Sequence, residues 1–111
     1  MSLKKEIRKK FRDAVYKRDN YTCRVCNFTY GINNSETYLD AHHITDRNDM
    51  PNGGYVVENG ISLCKDDCHM KAEKFHISGG KEWEPGMHPD DLYKIIGSSK
   101  EIAIKASEKL K

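Results

Sequence analysis

The sequence predicts a small α+β fold whose core is held together by metal rather than by a large hydrophobic interior. Composition is the first reason. Of 111 residues, 37% are apolar and 32% charged, which leaves little material for a core yet lies outside the profile of a disordered chain. Cysteine spacing is the second: Cys23 and Cys26 are separated by two residues, Cys64 and Cys68 by three. The third is the order of patterns. A β-forming run, a turn-rich loop, a second short β run and then a helical stretch follow one another between Thr37 and Phe75.

Taken in chain order, Leu3, Ile7, Phe11 and Val15 recur every four residues with Ala14 beside them, predicting an amphipathic helix that ends before Asp19-Asn20. Net charge is only +2, but residues 1–20 carry eight basic side chains against three acidic ones. Such a face tracks a phosphate backbone or is merely a solvated surface. Lys5, Arg8, Lys9 and Arg12 are its candidate nucleic-acid contacts, with Arg47 and Lys71 further along. Residues 21–36 hold the first cysteine pair and then Gly31, Asn33, Asn34 and Ser35, a knuckle and a loop without helical period.

Thr37 to Ile44 is rich in β-formers and predicts a strand bearing His42-His43, and residues 45–54, with Pro51, Gly53 and Gly54, predict a loop. Ile61-Ser62-Leu63 predicts a second strand running into Cys64. Cys68 to Phe75 reads as a helix that Gly79-Gly80 break. Pro89 suits a first helical position, with Asp90 and Asp91 in the first turn, Leu92, Ile95 and Ile96 on the apolar face and Gly97 closing. Ser98 and Glu101 have the form of a capping box for a last helix whose apolar face is Ile102, Ala106 and Leu110. The whole chain, 1–111, is expected to form one domain: a basic helix at 1–20, a zinc-stapled core at 21–76 and a helical extension at 77–111.

The four cysteines fit either two disulfides or one metal site. The start Met1-Ser2-Leu3-Lys4-Lys5 lacks the apolar stretch of an export signal, and no run is long enough to span a membrane. A cytoplasmic, reducing setting is therefore expected, and it favours metal. Two short-gapped pairs are typical of tetrahedral zinc-thiolate sites. Four thiolates leave no position for water, so the role is structural, with binding free energies on the order of 10–16 kcal/mol.

Histidines on strands are more often hydrogen-bonded structural residues than ligands. In His42-His43, however, alternation sends the two imidazoles to opposite faces, so they need not share a role. His69 adjoins Cys68 at a helix start, where a metal knuckle would fix its backbone. His76 lies two helical turns further on. His88 reads as a surface or capping residue, Trp83 as a plug over a small core, and Tyr21, Tyr30, Tyr38 and Tyr55 as packing residues.

The run Leu39-Asp40-Ala41-His42-His43-Ile44, then Asn59-Gly60-Ile61-Ser62-Leu63-Cys64, then Cys68-His69 resembles the HNH nucleases, the ββα-metal or His-Me finger endonucleases. The likeness covers roughly residues 11–75. It implies that His42 and His69 bind a divalent catalytic metal (magnesium, manganese, nickel or zinc), that His43 is the general base for the attacking water, and that Asn59 orients the loop and His43. The implied chemistry is coherent. A diester phosphate is anionic and resists attack until a Lewis acid neutralises charge on it, and an imidazole with pKa near 6.5 can take the proton of water at pH 7.

Two departures stand out. Many members carry His or Asn four residues after the His69 position, where this chain has Glu73, either a further ligand for a hard metal or a solvated helix residue. The Cys64–Cys68 gap is three residues, where two is commoner. The resemblance implies DNA as partner, low or borrowed site specificity, and a phage packaging or restriction protein as a plausible associate in a bacterial or phage-infected cell. Two other readings stay open: a zinc-stapled nucleic-acid-binding module that does not cut, and a hydrolase of RNA.

Overall fold

A computed structural model describes residues 3–110, apart from the side chains of Leu3 and Glu36. Met1, Ser2 and the Leu3 position on the predicted stripe therefore lie outside the described residues. Helix α1 (Leu3–Arg18) carries Phe11 and Val15 inward as the spacing predicts. Ile7 is largely exposed and Ala14 lies on the solvent side, whereas Tyr16 is buried and donates to the Leu39 carbonyl at 2.8 Å. The helix ends at Arg18 because Asn20 and Tyr21 both adopt positive φ, 55° in each.

The basic character of that helix is partly spent on structure. Arg18 donates to the carbonyls of Val57 and Gly60 at 2.6 and 2.7 Å and pairs with Asp19. Asp19 is buried, and it also accepts from Arg24 at 2.6 Å and from the Ser62 amide at 2.9 Å. Burial alone would raise the Asp19 pKa, but its bonds to Arg18, Ser62 and Arg24 outweigh that and hold the carboxyl below the usual range. One carboxylate thus joins α1, the first cysteine knuckle and the sheet.

After the knuckle the chain makes a one-turn helix, α2 (Ser35–Tyr38), and then strand β1 (Leu39–His43). Thr37 and Tyr38 are therefore helical rather than part of the predicted strand, because the turn-forming Asn33-Asn34-Ser35 continues into them. Strand β2 (Gly60–Cys64) pairs antiparallel with β1, Leu39 opposite Cys64 and His43 opposite Gly60. A side chain at Gly60 would meet Val15 at 2.5 Å and Phe11 at 2.8 Å. Glycine there lets α1 lie close against the sheet.

Helix α3 (Cys68–Ile77) follows, then α4 (Pro89–Ile95) and α5 (Lys100–Glu108). The core gathers Leu39, Ile44, Ile61, Leu63, Leu92 and Ala103. Three details of the C-terminal part correct the expectations. Ser99, not Ser98, caps α5, accepting from the Ile102 amide at 3.1 Å, while Ser98 donates to the Glu58 carbonyl. The buried face of α5 is Ala103 and Ser107, leaving Ile102 about half exposed and Leu110 beyond the helix. Ser107 explains the inversion, since its hydroxyl bonds the Pro51 carbonyl and receives the Gly54 amide, clamping the loop between the strands. Among the described residues no helix is long and apolar enough to cross a membrane.

Candidate active site

Two groups of side chains are positioned to hold metal. In the first, the sulfurs of Cys23, Cys26, Cys64 and Cys68 all lie within 4.8 Å of one another, and none is in a disulfide. The two knuckles meet because the Arg24 amide of the first knuckle donates to the Ser62 carbonyl of β2 at 2.9 Å, beside Cys64, and α3 starts at Cys68. The Cys26 amide points at Cys23 Sγ at 3.5 Å and the Cys68 amide at Cys64 Sγ at 3.2 Å, the donors that stabilise thiolates. Burial and then repulsion from neighbouring cysteines push the Cys26 and Cys68 thiols upward. Burial acts the same way on Cys23, but amides of Cys26, Cys64 and Val25 outweigh it and lower that thiol. The cluster is compatible with a structural metal such as zinc, whose binding would release the protons these thiols retain.

The second group is His42, His69 and Glu73, whose donor atoms also lie within 4.8 Å of one another. His42 points from β1 toward α3 and is buried, while His69 and Glu73, four residues apart, share one face of α3. Glu73 Oε2 lies 3.0 Å from His42 Nδ1 and 3.3 Å from His69 Nε2. Yet the buried His42 Nδ1 has no hydrogen-bond partner of proper alignment. Donor atoms that are close but not aimed at each other suit a shared third atom better than a hydrogen bond. The other His69 nitrogen, Nδ1, lies 2.6 Å from Asp40 Oδ2. That contact fixes the ring and leaves Nε2 facing the group, as carboxylate-oriented metal histidines do.

Glu73 and His42 are in the protonation states a metal needs, whereas His69 carries a proton at neutral pH that a metal at Nε2 would displace. The imidazoles of His42 and His69 hold the Glu73 carboxyl well below its ordinary range, so it is ionised at neutral pH. Burial alone would lower His69, but Asp40 and Glu73 push it up to about 9. Burial, with the neighbouring His69 charge, lowers His42 despite Glu73.

His43 faces the opposite side of β1, as alternation requires. Its ring stacks on Phe11 with centroids 4.5 Å apart and meets Tyr55 edge-on at 4.9 Å. Its Nε2 is buried without a hydrogen-bond partner. Burial, then the charges of His42 and Arg47, push its pKa down to about 4, below the value near 6.5 expected for a free imidazole. The ring is therefore neutral at pH 7. A cleft of about 310 Å³ is lined by both histidines together with His69, Glu73, His76, Arg8, Arg47 and Tyr55.

Asn59 is fully buried, and its side-chain hydrogen bonds go to residues other than His43. Its Oδ1 accepts from the Thr45 amide at 2.9 Å and from the Tyr93 hydroxyl at 2.6 Å, and its Nδ2 donates to the Thr45 and Gly54 carbonyls. It ties the two ends of the strand connection together, and its effect on His43 is through backbone alone. Of the basic candidates, Arg8 and Arg47 line the cleft and Arg12 borders His43 on the far side. Lys9 pairs with Asp13 and Lys71 with Asp67. Lys5 is exposed and lines neither cleft wall. His76 stacks on His42 at 5.2 Å and its Nε2 contacts the His43 carbonyl at 3.0 Å. His88 caps α4, accepting from the Asp90 amide, and Trp83 packs on Phe75 and His88 while remaining 44% exposed.

Asp40 and Tyr93 hold site residues in place without standing out in the sequence. Asp40 precedes His42 by two, which places both on one face of a strand and so toward His69; that signal was available. Tyr93 reaches Asn59 across the fold, and nothing local announces it. Comparison with protein-family models, curated proteins and solved structures returns no match for this chain.

Proposed function

We propose that this chain is a metal-dependent endonuclease of the HNH type, hydrolysing phosphodiester bonds in DNA. The observation that carries the reading is the convergence of His42, His69 and Glu73 on one point beneath a cleft that His43 also borders. Three donors leave coordination positions to water and substrate, unlike the four-sulfur cluster. Glu73 joins the ligand set, and its carboxylate favours a hard divalent ion.

A divalent cation bound there supplies Lewis-acid stabilisation of the phosphate oxyanion and of the leaving oxygen. The chain's own residues do the rest. Asp40 keeps His69 in the tautomer that presents Nε2. His43, neutral at pH 7 and bordering the cleft, takes the proton of the attacking water. An incoming phosphate diester raises the His43 pKa toward neutrality by its charge, which improves the base at the moment it is needed. Phe11 and Tyr55 hold the imidazole plane. The choice of DNA comes from the HNH resemblance, since the chemistry serves either nucleic acid.

The test incubates purified protein with supercoiled plasmid and with structured RNA, under magnesium, manganese, nickel or EDTA, beside His43→Ala. Metal-dependent DNA cutting that the variant loses supports the reading. RNA cutting alone transfers the reading to RNA, and binding without cutting makes the chain a recognition module.

A further inference from the structure

The cleft over the histidines continues into a second one of about 450 Å³, whose lining includes Lys4, Ile7, Arg8, Arg47, Asn48 and Tyr55. Arg8, Arg47 and Tyr55 belong to both clefts and form the sill between them. They arrive from different parts of the chain, Arg8 from α1 and the other two from the connection between the strands. Arg47 Nη1 donates to the Tyr55 hydroxyl oxygen at 3.4 Å, and the Arg8 guanidinium lies near enough to the same phenol to help hold its pKa below the ordinary value against burial. Two guanidinium groups gathered on one neutral oxygen repel each other, and an anion between them relieves that repulsion. The remaining walls alternate in character: a further cation at Lys4, an apolar face at Ile7, an aromatic ring at Tyr55 and an amide at Asn48. Cations for phosphate, a flat apolar wall for a base and an amide for its edge are the recognition chemistry of a nucleotide.

We infer that the second cleft is a subsite for the nucleotide adjoining the cut bond, with Arg8 and Arg47 holding its phosphate. The substrate is then a polynucleotide strand rather than an isolated phosphodiester. This rests on the phosphodiesterase reading above, and it adds a specificity element that neither the metal ligands nor His43 provides.

The experiment compares wild type with Arg8→Ala and Arg47→Ala on two substrates. Supercoiled plasmid offers a neighbouring phosphate, and bis(p-nitrophenyl) phosphate offers a diester without one. In parallel, binding of a short duplex oligonucleotide is measured without chelator or added divalent metal across a salt series, after thermal unfolding has verified that both variants fold. Each variant is expected to lose about tenfold or more in kcat/KM on plasmid and less than about threefold on the small diester, with the slope of log K against log salt reduced by about 1. Equal losses on both substrates, or a salt slope that neither substitution changes, overturn the subsite. Should wild type hydrolyse neither substrate, the phosphodiesterase reading fails, and the salt series still decides whether Arg8 and Arg47 hold phosphate.

Discussion

The four-cysteine cluster and the His42–His69–Glu73 cluster are built on the same short stretch of chain, yet they differ in donor number and in access. Cys23, Cys64 and Cys68 are buried and, with Cys26, offer four sulfurs. Such a set completes a tetrahedron and excludes water. The second cluster offers two nitrogens and a carboxylate and opens on a cleft of about 310 Å³. On the proposed reading, saturation makes one site a staple and incompleteness leaves the other open to substrate. Their link is covalent, because Cys68 and His69 are consecutive, so the atom that closes the staple also sets the position of the reactive ligand.

The largest effect that separates the two clusters is on folding. If the cysteine cluster holds zinc, Cys23→Ser or Cys64→Ser removes a contribution on the order of 10–16 kcal/mol, comparable to or above the whole stability of a small domain. Loss of bound zinc by elemental analysis together with loss of the cooperative transition by circular dichroism is expected. Glu73→Ala, in contrast, should unfold at nearly the wild-type temperature.

Asp19 braces the frame that both clusters share. Asp19→Ala removes the carboxylate partner of Arg18 and Arg24 and leaves the buried Ser62 amide unpaired, a loss of about 1–3 kcal/mol in urea unfolding, moderated because both arginines keep carbonyl acceptors and are partly exposed. The acid response follows from the same carboxyl. Its folded pKa lies below the ordinary 3.8, so its stabilisation is present above that value and is lost as pH falls through the folded one. Below about pH 4, stability should fall less steeply with acidification in Asp19→Asn than in wild type.

Smaller effects probe the reactive cluster from behind. Asp40→Asn weakens the anchor of His69 and should lower affinity for the catalytic metal by about 10–100-fold in calorimetric titration, with zinc content of the cysteine cluster unchanged. Tyr93→Phe removes the hydrogen bonds of its hydroxyl with Asn59 and Thr45, and about 1–3 kcal/mol of stability is expected to go with them in urea unfolding.

Spacing made the knuckles, the strand pair, α3 and the opposite faces of His42 and His43 legible, because all are local in sequence and obey fixed periods. Glu73 was legible as an alternative, ligand or solvated residue, and only the fold brings it within 3.0 Å of His42. What spacing does not carry is contact between distant segments. Arg18 reads as one more surface cation until its bonds to Val57 and Gly60 are seen, Ser107 as an ordinary helix residue until it grips Pro51, and Tyr93 as core until its hydroxyl meets Asn59. The pKa of His43 is set the same way, by burial between Phe11 and Tyr55.

The division of labour between the two neighbouring histidines is the central claim, and plasmid cleavage measured against metal concentration tests it most directly. His42→Ala should raise the metal concentration for half-maximal rate by more than the roughly 10–100-fold typical of losing a ligand-orienting group, and recover activity as metal saturates. His43→Ala should leave that concentration near the wild-type value and lower the saturated rate by about 10²–10⁴-fold. Wild-type cutting by His43→Ala at saturating metal, or the same shift in metal requirement in both variants, would contradict the account.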